Sequence, residues 1–189
     1  MSTMNLPNKI TMARIVMILF FLIMCNIDHR LPASIQQTWR ATGLLFAILA
    51  GFTDIVDGYI ARKYNMVSDF GKLMDPLADK IFMATTFVML VDKDILAGWV
   101  AVIVLTREFL VTGLRMLAIS KGEVIAADIS GKIKTSFQMA FLILGGTIWV
   151  GWLDPARITI LWTCAVWSVV LITVYSGVSY FVRHRYLYL

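Results

Sequence analysis

Five of the 12 acidic residues in this 189-residue sequence fall within one 26-residue stretch: Asp54, Asp57, Asp69, Asp75 and Asp79. The stretch reads Asp54-Ile-Val-Asp57-Gly58-Tyr-Ile-Ala61-Arg62, then eight residues, then Gly71-Lys-Leu-Met-Asp75-Pro-Leu-Ala-Asp79. Helical spacing puts 54, 57, 58 and 61 on one face, and 71, 75 and 79 on one face of a second helix. Asp69 falls off that stripe at an expected helix start, where a carboxylate serves as a cap. Two such helices joined by a short loop run antiparallel, and their acidic faces oppose each other. Carboxylates held that close repel by about 4 kcal/mol per pair at about 4 Å and an effective dielectric near 20. Either some of them are protonated or cations bind there. Ligands that are all oxygen favour Mg²⁺, Mn²⁺ or Ca²⁺ over Zn²⁺, and no His/Cys cluster competes. Two divalent ions against four carboxylates make a nearly neutral site that accepts an anionic phosphate. The plainer alternative is a row of interfacial aspartates paired with Arg62, Lys72 and Lys80. Co-facial acids within a membrane segment favour the functional reading. Gly58 and Gly71 let either a nucleotide or a neighbouring helix approach the backbone.

A second group is basic. Arg107 and Arg115 stand two helical i,i+4 steps apart and line one broad face, while Lys132 and Lys134 open the next helix. Arginine forks suit phosphate. The two lysines read equally as phosphate contacts or as anchors at the membrane surface. Glu108 is placed to pair with one of the arginines. Asn8, Thr11 and Arg14 either reach ligand phosphates or cap and anchor the first helix.

The elements that must position these groups follow from composition. The chain is 59% apolar and 15% charged, with a mean hydropathy of +0.79, against about 45–50% and about 25% in soluble domains. A disordered tail, a disulfide scaffold and an ordinary soluble enzyme are excluded. Cys25 and Cys164 lie in apolar runs and form no framework. The expectation is an all-α integral membrane protein, a single domain over residues 1–189, with six transmembrane helices and a polar cavity open to the cytoplasm. Spans are predicted at 8–27, 39–63, 69–91, 95–119, 130–152 and 157–183. The first is read as a retained helix, with no cleavage site after it.

Several spans are apolar over only part of their length, and because successive helices alternate direction their charged ends collect on one side. Arg30, Arg40, Lys93 and Arg157 lie at the opposite ends, and the rest of the 17 basic residues on the shared side. By the positive-inside rule that side, with both termini, is cytoplasmic. Trp39, Trp99, Trp149 and Trp152 lie at the other ends, as an interfacial belt would.

The pattern D-x2-D-G-x2-A-R-x8-G-x3-D-x3-D, filled by Asp54, Asp57, Gly58, Ala61, Arg62, Gly71, Asp75 and Asp79, resembles the signature of the CDP-alcohol phosphotransferases. The resemblance extends to Leu6–Arg14, Thr106–Arg115 and Gly131–Thr135, and covers nearly the whole chain. It implies a six-helix fold, usually a homodimer, in a bacterial cell membrane. The implied reaction joins CDP-diacylglycerol to glycerol 3-phosphate and releases CMP, with membrane lipid as a partner and no nucleic acid. By the same resemblance Asp54, Asp57, Asp75 and Asp79 hold two Mg²⁺ or Mn²⁺ ions. Gly58, Ala61, Arg62 and Gly71 lie along the CDP moiety, Arg107, Arg115, Lys132 and Lys134 take the acceptor phosphate, and Asp79 is the general base. Rival acceptors are serine, inositol phosphate and phosphatidylglycerol; serine does not demand the extra cations. The rival from another class is a divalent-cation channel or transporter, which would place its acids at mid-membrane within inverted repeats. Neither feature is visible in the sequence.

Overall fold

The computed structural model describes the backbone of residues 6–63, 69–123 and 129–188, and their side chains except at 6–7, 54–63, 69–73, 129–130 and 132. Every described element is helical. α1 (Leu6–Ile27) leads through a short 3-10 turn, Asp28–Arg30, into α2 (Ala33–Lys63), followed by α3 (Asp69–Asp92), α4 (Gly98–Ser120), α5 (Ile129–Val150) and α6 (Thr159–Arg183). A final 3-10 turn covers Arg185–Leu187.

The helices stop where backbone chemistry dictates. α4 is followed by Gly122 (φ 78°) and α5 by Gly151 (φ 85°), a left-handed conformation that costs glycine little. At both ends the amides turn back onto the last turn, Glu123 N–H to the Ala118 carbonyl and Trp152 N–H to the Thr147 carbonyl. Two boundaries differ from the hydropathy reading by three residues or more. α2 starts six residues before the expected 39, because the Pro32 carbonyl accepts from the amides of Ile35 and Gln36 and so nucleates a polar first turn. α4 starts at Gly98 because Ile95 and Leu96 turn their amides onto the Leu90 carbonyl and close the α3–α4 connection.

Among the described residues three segments are long and apolar enough to cross a membrane: Asn8–Arg30, Ile133–Val150 and Thr159–Arg183. α2, α3 and α4 each carry charge at one end, which dilutes their apolar stretch.

The main core draws on all six helices, with Phe21, Leu44, Phe87, Leu90, Val104, Phe141 and Val169 all buried. Close approach to α5 is set by its paired glycines. A Cβ at Gly146 would lie 2.3 Å from Leu44 Cδ1, and one at Gly145 would lie 2.8 Å from Leu90 Cδ1. A smaller core joins α4 to α6 through Val111, Leu114, Ala118, Tyr180 and Leu187.

One end of the bundle is fastened by Asp28, whose side chain is 1% exposed. It accepts from Arg40 Nε at 2.8 Å, Lys93 Nζ at 2.9 Å and Trp149 Nε1 at 3.2 Å. Burial alone would lower the Lys93 ammonium, but the hydrogen bond and charge of Asp28 override it and hold Lys93 above the usual lysine range. Trp149 therefore departs from the expected interfacial belt. It is buried at 6%, because its indole N–H is needed by a carboxylate inside the bundle. Trp152, at 58%, stays exposed.

Candidate functional site

The functional end is opposite Asp28. There the N-terminal turns of α3 and α5 meet the C-terminal halves of α4 and α6 around a cavity of about 220 Å³. Asp79, Lys80, Arg107, Glu108, Arg115 and Lys134 all border it. Among the described residues four cations face two carboxylates, a formal excess of two positive charges. An anion is the ligand that such a wall favours.

Three of these cations are oriented by a neighbour. Arg107 Nη2 donates to Ser176 Oγ on α6 at 2.7 Å, and its Nη1 to Glu108 at 3.4 Å. Gly177 makes room for that reach, since a Cβ there would lie 3.1 Å from Arg107 Cγ. Lys134 Nζ donates to the same Glu108 oxygen and is nearly fully buried. Glu108 thus bridges Arg107 and Lys134, where one arginine partner was expected. Arg115 Nε donates to the Tyr180 hydroxyl at 3.1 Å, and the Tyr180 ring packs at a tilt of 40° against His184 with centroids 4.5 Å apart.

A second, mostly apolar groove of about 350 Å³ runs between α1, α2, α3 and α5. Arg14 and Asp79 border it at the functional end, Lys93 and Trp149 at the other. Asp79 borders both spaces. Thr11 Oγ1 donates to Asp75 Oδ1 at 2.7 Å, and Arg14 Nε to Thr53 Oγ1 at 3.3 Å. Asn8, Thr11 and Arg14 are all buried, so this stretch of α1 sits inside the bundle, with Thr11 on Asp75 and Arg14 on Thr53 of α2, rather than at the surface.

The structure thus brings together Asp79, Arg107, Arg115 and Lys134, with Asp75 one turn before Asp79 on α3. Asp54, Asp57, Gly58, Ala61, Arg62, Gly71 and Lys132 lie outside the residues whose side chains are described. Their backbone falls on α2, α3 and α5, and α2 and α3 pack against each other. No group of three or more metal-ligating side chains occurs among the described residues. Sequence reasoning missed Gln138, Ser176 and Tyr180 as part of this site. Their signal was present: each is a polar group inside an otherwise apolar span, where such groups find internal partners.

Residues 4–175 match the profile described as CDP-alcohol phosphatidyltransferase. A Bacillus subtilis protein named CDP-diacylglycerol–glycerol-3-phosphate 3-phosphatidyltransferase is 41% identical over 187 residues, covering 95% of each chain. Proteins of the same name from Rickettsia typhi and Haemophilus influenzae are 40% and 34% identical, covering 94% and 93% of this chain and 95% and 91% of their own.

Proposed function

The chain belongs to the CDP-alcohol phosphatidyltransferase family, and from that premise we propose how its site carries out the reaction for which its relatives are named. The protein transfers the phosphatidyl group of CDP-diacylglycerol to glycerol 3-phosphate, giving phosphatidylglycerophosphate and CMP. The observation that carries the site assignment is that Asp79 borders both an apolar groove and a basic cavity. A donor with two acyl chains and an acceptor with its own phosphate need those two environments to meet at the reacting atoms.

The acceptor phosphate lies against Arg107, Arg115 and Lys134, and the family resemblance adds Lys132 to that set. Charge-assisted hydrogen bonds from the guanidinium groups fix its position. Its terminal hydroxyl then points toward Asp79, which takes the proton as oxygen attacks the phosphorus nearer diacylglycerol. The bond from that phosphorus to the CMP oxygen breaks, and CMP leaves. Positioning and charge do most of the work in such a transfer. Gly58, Ala61, Arg62 and Gly71 lie along the CDP moiety.

Asp54, Asp57, Asp75 and Asp79 are the residues that would hold two Mg²⁺ or Mn²⁺ ions. The donor set fits hard cations, being all carboxylate, with Asp75 and Asp79 one turn apart on α3 and α2 packed alongside. Thr11, donating to Asp75 Oδ1, supplies the orienting hydrogen bond such ligands commonly carry. When bound, these ions neutralise the diphosphate and stabilise the departing phosphate.

The concentration of basic residues at the cavity end supports placing it, with both termini, on the cytoplasmic side of a bacterial cell membrane. All six helices cross that membrane in this reading, and the cavity opens to the cytoplasm. A homodimer is the assembly that accompanies the family resemblance. The test is CMP release by purified protein given CDP-diacylglycerol, Mg²⁺ or Mn²⁺, and each candidate acceptor in turn. Release with glycerol 3-phosphate is expected. Release with serine alone overturns the acceptor assignment, and no release with any acceptor overturns the enzyme.

A further inference from the structure

Two buried side-chain atoms have no hydrogen-bond partner among the described residues, Arg107 Nε and Gln138 Oε1, and both residues border the basic cavity. Gln138 is 1% exposed and stands one turn beyond Lys134 on α5. Its Nε2 donates to Thr173 Oγ1 on α6 at 3.3 Å, and Thr173 is itself fully buried. With the nitrogen committed to α6, the oxygen is the atom left for the cavity. Of the six charged side chains described on the cavity wall, Lys80, Arg107, Arg115 and Lys134 are donors and only Asp79 and Glu108 acceptors, and Glu108 already accepts from Arg107 and Lys134, so the wall favours the oxygen over the NH₂.

A buried amide oxygen needs a donor, because burial without one is costly. The acceptor phosphate has oxygens to offer and suits Arg107 Nε, but it does not suit Gln138 Oε1. A hydroxyl does. Glycerol 3-phosphate carries two: the terminal one surrenders its proton at Asp79, and the central one keeps its proton throughout. We propose that Gln138 Oε1 accepts a hydrogen bond from the central hydroxyl of the acceptor. Gln138 is then the specificity-determining residue that separates glycerol 3-phosphate from phosphorylated diols lacking that group. Thr173 is its positioning residue. This assignment rests on the acceptor reading given above.

The experiment compares kcat/KM for CMP release with sn-glycerol 3-phosphate and with 3-hydroxypropyl phosphate, which lacks only the central hydroxyl. Full-length wild-type protein should prefer glycerol 3-phosphate by roughly 10- to 100-fold, the range expected when a buried polar group loses its partner. Gln138→Leu should bring the ratio to within about threefold of unity, chiefly by losing activity toward glycerol 3-phosphate. Gln138→Glu retains an acceptor oxygen and should keep the preference, though the added charge lowers activity with both phosphates. Should the leucine variant fail to fold, Thr173→Val, which frees the amide to turn, must shrink the ratio in the same direction. An unchanged ratio in the folded leucine or valine variant overturns the role of Gln138, as does a wild type with no preference. No CMP from wild type with glycerol 3-phosphate overturns the acceptor reading as well, so the two failures are distinguishable.

Discussion

Replacing Arg107 by lysine keeps the charge at the functional end and removes the fork. The wild-type guanidinium spans three directions: Nη2 to Ser176 Oγ at 2.7 Å, Nη1 to Glu108 at 3.4 Å, and Nε buried without a partner among the described residues. A lysine ammonium is a compact point charge and cannot hold Ser176 and Glu108 while also facing a phosphate. One charge-assisted hydrogen bond to the acceptor is therefore lost, worth about 1.5–3 kcal/mol. At about 1.4 kcal/mol per factor of ten, KM for glycerol 3-phosphate should rise by roughly 10- to 150-fold. The KM for CDP-diacylglycerol should change by less than about threefold, since Arg107 does not border the apolar groove. Titrating each substrate in turn while following CMP release measures both. Thermal unfolding of the detergent-solubilised protein serves as the control, because the loss of packing against Gly177 is small. An unaltered KM for glycerol 3-phosphate, or an equal rise for both substrates, would refute the assignment of Arg107 to the acceptor phosphate.

Three further outcomes follow from the same structure. Asp79→Asn should lower kcat by at least about 100-fold while the protein stays folded, the range of a lost general base; near-normal turnover removes Asp79 from that role. Asp28→Asn takes a buried carboxylate from Arg40 and Lys93. It should cost about 2–4 kcal/mol after discounting for the partners' partial exposure, or roughly 5–15 °C in melting temperature, with KM for glycerol 3-phosphate unchanged; a stable variant with altered KM contradicts the structural role. Treatment with EDTA should abolish CMP release, and Mg²⁺ or Mn²⁺ should restore it; undiminished release in excess EDTA contradicts the metal assignment.

The helices were legible because a bilayer admits few solutions, and apolar runs broken by Asp-His-Arg, Lys-Asp or Asp-Pro mark their ends. The gathering of Arg107, Arg115 and Lys134 was legible too, since alternation of direction alone brings α4's C-terminal half to α5's start. Other features depend on lateral packing, which hydropathy does not encode. Asp28 meets Arg40, Lys93 and Trp149 across 12, 65 and 121 residues of sequence. No local pattern links them, and so Trp149 read as interfacial. Glu108 looked like a partner for one arginine, but α5 brings Lys134 to the same carboxylate oxygen. Ser176 and Tyr180 sit in a helix otherwise apolar enough to pass as lipid-facing scaffold, and only the rotation of α6 about its axis turns them onto Arg107 and Arg115.

The most direct test of a donor and acceptor meeting at Asp79 is an experimental structure with glycerol 3-phosphate bound. The expected result has the phosphate within hydrogen-bond distance of Arg107, Arg115 and Lys134, with the terminal hydroxyl turned toward Asp79. A phosphate bound away from these residues, or a terminal hydroxyl pointing away from Asp79, would contradict it.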